Sequence, residues 1–203
     1  KLLKLPLSRK DKQIFTASQK NGRNPVIWFG KSQMSGDKIF LTSNIQTKKL
    51  DSLKIIGNSW IIEKDSISNT GFNQIKGGLL DGLFKEGELR EIDVSKNTEV
   101  IYYMYSDQDN ELIGIDKTTC SRLKMITADN QIEDITFFIR PDGDLYPEKD
   151  LPINDRKLEG FVWREDERPK TVLDLFNEID NQFEPTELRE MPIPEEFLEK
   201  IKD

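Results

Sequence analysis

Apolar and polar positions alternate in the same way at three places along this chain. Lys38-Ile39-Phe40-Leu41-Thr42 leads through a polar turn to Leu50-Asp51-Ser52-Leu53-Lys54-Ile55-Ile56. Leu80-Asp81-Gly82-Leu83-Phe84-Lys85 leads likewise to Leu89-Arg90-Glu91-Ile92-Asp93-Val94-Ser95, and Arg122-Leu123-Lys124-Met125-Ile126-Thr127 to Ile132-Glu133-Asp134-Ile135-Thr136-Phe137-Phe138. The spacing of Leu50/Leu53, Leu89/Ile92 and Ile132/Ile135 is conserved within the chain and returns at roughly 40-residue steps, the range of stacked supersecondary repeats. A period of two marks half-buried strands. Each repeat is therefore a predicted β-hairpin, with Lys85-Glu86-Gly87-Glu88 and Ala128-Asp129-Asn130-Gln131 as turns.

The alternation also assigns faces. Ile39, Leu41, Leu53, Ile55, Leu83, Ile92, Val94, Leu123, Met125, Ile135 and Phe137 are predicted to point inward, with Lys54, Asp93 and Thr136 between them pointing out. Ser59-Trp60-Ile61-Ile62 and Val100-Ile101-Tyr102-Tyr103-Met104-Tyr105 are continuously apolar, as strands covered on both faces are. Gly77, Gly78 and Gly82 suit a bulge or bend that curls the sheet.

The ends read differently. Residues 1–24 form an N-terminal strand or linker, with Ile14-Phe15-Thr16-Ala17 as a candidate strand. Residues 25–143 hold the repeats, and residues 144–203 a Pro-rich extended tail. Trp163 is expected to anchor that tail to the sheet. Thr171 as an N-cap, then Val172, Leu175, Phe176, Ile179 and Phe183, predict a helix over 171–183, and Pro194 starts another over 194–202.

Composition narrows the function. The chain has 203 residues, a net charge of -7 and no His. Acidity disfavours nucleic acid and anionic membrane surfaces. Without His, and with Cys120 alone, no metal site, cofactor or disulfide is expected. No apolar run is long enough for a membrane span. The chain starts at Lys1, so it reads as processed or trimmed, with any signal peptide out of view.

Several tracts resemble the OstA-like (organic solvent tolerance) family of Gram-negative envelopes, related to LptA-type lipopolysaccharide-transport proteins. They are Asp51-Ser52-Leu53-Lys54-Ile55-Ile56-Gly57-Asn58-Ser59, Phe72-Asn73-Gln74-Ile75-Lys76-Gly77, Asn97-Thr98-Glu99-Val100-Ile101-Tyr102-Tyr103 and Asp116-Lys117-Thr118-Thr119-Cys120-Ser121. The most specific are Leu145-Tyr146-Pro147-Glu148-Lys149-Asp150-Leu151-Pro152 and Gly160-Phe161-Val162-Trp163-Arg164. The resemblance covers about residues 25–170. It implies an all-β fold, an open V-shaped β-jellyroll of two facing antiparallel sheets built from the stacked hairpins. It implies a periplasmic, non-enzymatic protein that shields the lipid A acyl chains of lipopolysaccharide between the two membranes. Its partners would be other jellyroll proteins of a transport bridge, with end-to-end self-association as a further possibility. Members carry more repeats upstream, so the chain is expected to be a C-terminal portion of a longer one.

Three functional readings stay open. The inward residues line a lipid groove, or they form the dry core of an all-β envelope scaffold that binds protein through its sheet edges. A carbohydrate-processing carboxylate pair such as Glu86/Glu88 is the enzymatic alternative, and no pocket signal supports it. Tyr102, Tyr103 and Tyr105 are candidates for a headgroup cradle, and Lys54, Lys76, Lys85, Arg90 and Lys124 for phosphate contacts at a groove rim. Asp107, Asp109 and Asn110 lack the Gly and distal Glu of a calcium loop.

Overall fold

The computed structural model describes residues 12–68, 70–128 and 131–170. Among them, ten strands form one open antiparallel sheet. They are β1 (Lys12–Ser18), β2 (Val26–Phe29), β3 (Ser32–Ser35), β4 (Lys38–Asn44), β5 (Leu50–Lys64), β6 (Phe72–Lys85), β7 (Glu88–Tyr105), β8 (Leu112–Ala128), β9 (Gln131–Phe138) and β10 (Asp142–Tyr146). The predicted hairpins β4–β5, β6–β7 and β8–β9 all pair in the sheet. The β6–β7 turn places Glu86 at φ 57° and Gly87 at φ 90°, the left-handed pair that a tight two-residue hairpin needs.

The long strands β5 to β8 each turn a corner, and the corners line up. Register breaks between Ile56 and Ser59, between Lys76 and Leu79, and between Ser95 and Thr98. Gly57 and Asn58 (φ 75° and 44°), then Lys96 and Asn97 (φ 70° and 57°), supply the backbone bend. Gly77 lets neighbouring strands close on the corner, since a Cβ there would lie 2.6 Å from Val94 Cγ1. The row continues through Gly36 and Asp37, between β3 and β4, and through Ile139 and Arg140 (φ 61° and 57°), between β9 and β10. The sheet is thus one bonded surface with two halves. The first half holds β1, β4 and β9, the start of β5 and β7, and the end of β6 and β8. The second holds β2, β3 and β10 with the other ends of the long strands.

Facing sides of the halves share one core. The second half contributes the register row Ile27, Met34, Ile61, Ile75, Val100 and Thr118. Its apolar members pack with Leu53, Ile55, Leu80, Ile92, Val94, Leu123 and Met125 of the first. On the other side of the second half, Trp60, Ile62, Ile101, Tyr103 and Ile115 pack under Leu151, Leu158, Phe161 and Trp163. Trp60 and Ile62 on one side and Ile61 on the other explain why that stretch is continuously apolar.

Two glutamines hold residues 147–163 against the sheet. Gln74 is fully buried and donates to the Arg156 carbonyl at 2.8 Å, and it accepts from the Leu158 N–H at 2.9 Å. Gln33, also buried, donates to the Val162 carbonyl at 2.8 Å. Two 3-10 turns, Glu148–Asp150 and Ile153–Arg156, follow Pro147 and Pro152. Arg156 closes them through the Leu151 carbonyl (2.9 Å) and the Glu148 carboxylate (2.7 Å).

Arg164 begins a second compact unit. Its described part carries a 3-10 turn, Glu165–Glu167, with Arg164 Nε donating to Glu167 at 2.9 Å. The helices expected over 171–183 and 194–202 lie outside the described residues.

Candidate functional site: the apolar interior

The inward positions of the first half form two cross-strand ladders. The ladder near the corner runs Ala17, Ile39, Ile55, Leu80, Val94, Leu123 and Phe137, each opposite the next. The second runs Phe15, Leu41, Leu53, Gly82, Ile92, Met125 and Ile135. Directly opposed side chains are the contact unit of a sheet, so the first ladder is one continuous apolar line across the strands, and the second is interrupted only at Gly82. Ile39, Leu41, Leu53, Ile55, Ile92, Val94, Leu123, Met125, Ile135 and Phe137 all fall on these ladders.

Leu83 does not. It lies opposite Ser52 and Glu91, on the outward face, and is 37% exposed. Strand β6 runs antiparallel to β5, and Gly82, not Leu83, meets Leu53. Gly82 has no side chain to betray its inward position. A Cβ there would come within 3.2 Å of Leu89 Cδ1 and 3.4 Å of Leu53 Cβ, so its neighbours already fill the space. The interior also includes Leu80 and Leu89, which belong to the second repeat but are not among the predicted inward positions, and Met34, Ile61, Ile75 and Val100, which lie outside the hairpin repeats. Leu80 was the most legible of them, as it stands two positions before Gly82 on the same strand face.

Burial varies along the ladders. Ile55, Leu80 and Leu123 are 0% exposed, whereas Leu41, Ile135 and Phe137 toward the ends are half-buried. Across the interior, Phe29 of β2 meets Phe84 of β6 edge to face, with ring centroids 5.2 Å apart.

The polar candidates do not converge on this space. Lys54 pairs with Asp81, Lys124 with Glu91 (3.0 Å) and Arg90 with Glu88, all along the solvated face of the first half. Lys85 stands opposite Glu88 at the hairpin end. Lys76 is on the side that receives residues 147–163, bonded to the Glu159 carbonyl at 3.1 Å and lying over the Trp60 ring. The tyrosines split between faces. Tyr102 packs on the interior, while Tyr103 and Tyr105 belong to the opposite side. Burial pushes the Tyr102 and Tyr103 phenols above their ordinary value.

Acid–base and metal chemistry find no assembled set among the described residues. Glu86 is taken by Lys49 at 2.6 Å and Glu88 by Arg90. Asp109 caps its own turn through the Glu111 N–H at 3.1 Å. Among the described residues no group of three His, Cys, Asp or Glu side chains is placed to hold a metal ion. Cys120 is buried in the core, and burial raises its thiol. Among the described residues no helix is long and apolar enough to cross a membrane.

Fold and interior together define a mostly antiparallel β protein, whose single open sheet bends around an apolar core. Comparison with protein-family models, with curated proteins and with solved structures finds no match for this chain.

Proposed function

We propose that this protein is a non-enzymatic lipopolysaccharide carrier of the periplasm. Its bent sheet acts as a jellyroll whose apolar interior shields lipid A acyl chains between the inner and outer membranes. The observation that carries this reading is the pair of apolar ladders, in register from β4 to β9. The sequence resemblance to OstA-like proteins supports the choice of lipid. Each methylene moved out of water gains about 0.8 kcal/mol, so an acyl chain needs area rather than a special residue. Other jellyroll proteins of the same transport route, or further copies of this chain, are the partners that follow.

A second reading has an observation in its favour. Ile55, Leu80 and Leu123 have no exposed surface, as in a dry core. The protein would then be an envelope scaffold that binds partners through sheet edges. A photo-crosslinking amino acid at Leu53, Ile92 or Ile135 separates the two. With purified lipopolysaccharide, the carrier gives adducts from these inward positions and none from outward Leu83. Absence of adducts from all three inward positions overturns the carrier in favour of the scaffold.

A further inference from the structure

Phe29 and Phe84 belong to opposite halves of the bent sheet, and their rings meet at 71° between planes. Among the described residues β2 bonds to β3 alone, so no backbone ladder joins β2 to β6. Both sides of the contact rest on yielding backbone. β2 has four residues and a bonded neighbour on one side. β6 loses register between Leu83 and Phe84, just before the tight Glu86-Gly87 turn. Short edge strands and hairpin ends open at lower cost than central strands.

Both rings are half-buried and pack on the interior core. The residues behind them have almost no exposed surface, so a chain of methylenes reaches the buried middle of the ladders only when the halves part. The outer side of β2 is held separately. Trp28 meets Trp163 edge to face at 5.1 Å, and Gln33 of the neighbouring β3 is bonded to Val162. The inner contact can therefore yield while the outer one persists.

We propose that Phe29 and Phe84 form a latch. Strand β2 is a flap, the ring contact holds it closed over the interior, and its release admits apolar chains. The proposal rests on the interior being lipid-binding. One edge-to-face contact corresponds to roughly a two- to tenfold bias in an equilibrium, enough to favour closure without sealing it.

Stopped-flow uptake of N-phenylnaphthylamine, an apolar dye that brightens out of water, tests the latch. Phe84→Ala is expected to speed uptake roughly two- to tenfold, and Phe84→Leu to do the same where Ala impairs folding. In Phe29→Cys/Phe84→Cys/Cys120→Ser, a short bismaleimide joining the two thiols is expected to slow uptake at least about tenfold relative to the unjoined variant. Joined protein that fills as fast as unjoined protein overturns the latch and leaves the carrier standing. Native and unjoined protein that both fail to take up dye overturn the lipid-binding interior, and the latch with it.

Discussion

Tyr105 and Asp65 make the most consequential polar contact of the described residues. Asp65 is only 6% exposed, at the start of the β5–β6 turn. It accepts the Tyr105 hydroxyl and the Ser68 N–H, the latter at 2.6 Å. Burial pushes the carboxyl up, but the bonds from Tyr105 and Ser68 outweigh it and leave the group below its ordinary 3.8. The Tyr105 phenol moves the other way, raised above 10.0 by burial and then by its bond to Asp65. Stability from a lowered carboxyl is present above its unfolded value and lost as pH falls through the folded one. Stability from a raised phenol is present below 10.0 and lost as pH rises through its folded value. Tyr105→Phe should therefore cost about 1–3 kcal/mol at neutral pH. Urea unfolding across pH is expected to show the gap to wild type narrowing at both extremes. A gap of constant size from acid to alkali would contradict this account. No sequence signal marks the pair, because the residues lie far apart in the chain and meet only once β5 and β7 share a sheet.

The strands show why some features were legible and others were not. The hairpins and their inward faces follow from local alternation, which is a property of consecutive residues. The misplacement of Leu83 follows from Gly82, which leaves the inward position between Leu80 and Phe84 without an apolar side chain to mark it. The glycines at 77 and 78 hinted at a bend, but the alignment of corners from Gly36 to Arg140 is a relation between strands. Gln33 and Gln74 read as ordinary polar residues, and their bonds to residues 156–162 exist only once the chain returns. Gln74→Leu keeps the volume but leaves the Arg156 carbonyl and the Leu158 N–H unpaired under cover. It is expected to cost about 1–3 kcal/mol. The loss should be local first, with faster amide exchange over residues 156–162 and little change in β4 to β8. Uniform acceleration across the sheet would mean that this segment does not act as a separately held strap.

Taken whole, the molecule separates its chemistry by face. Ion pairs such as Arg122–Asp93 and Lys124–Glu91 decorate the outward side of the first half, and among the described residues the core on its inward side is built from apolar side chains. A shared interior between two halves can be either a finished core or an unfilled sleeve, and these differ in how apolar solutes act on stability. A ligand that binds only the folded state raises stability by mass action, by about 2.7 kcal/mol at one hundred times its dissociation constant. For a chain of this size that corresponds to roughly 5–10 °C in melting temperature. A single-chain lauroyl amphiphile below its micelle concentration is therefore expected to raise Tm in a saturable way if the ladders accept acyl chains. Leu123→Lys, at a position of the near-corner ladder with no exposed surface, would unfold the protein under either reading. Ile135→Lys, at the half-buried end of the other ladder, should spare the fold and abolish the rise. A finished core predicts no saturable rise in the parent protein, and a Tm that falls as the amphiphile solvates the unfolded chain.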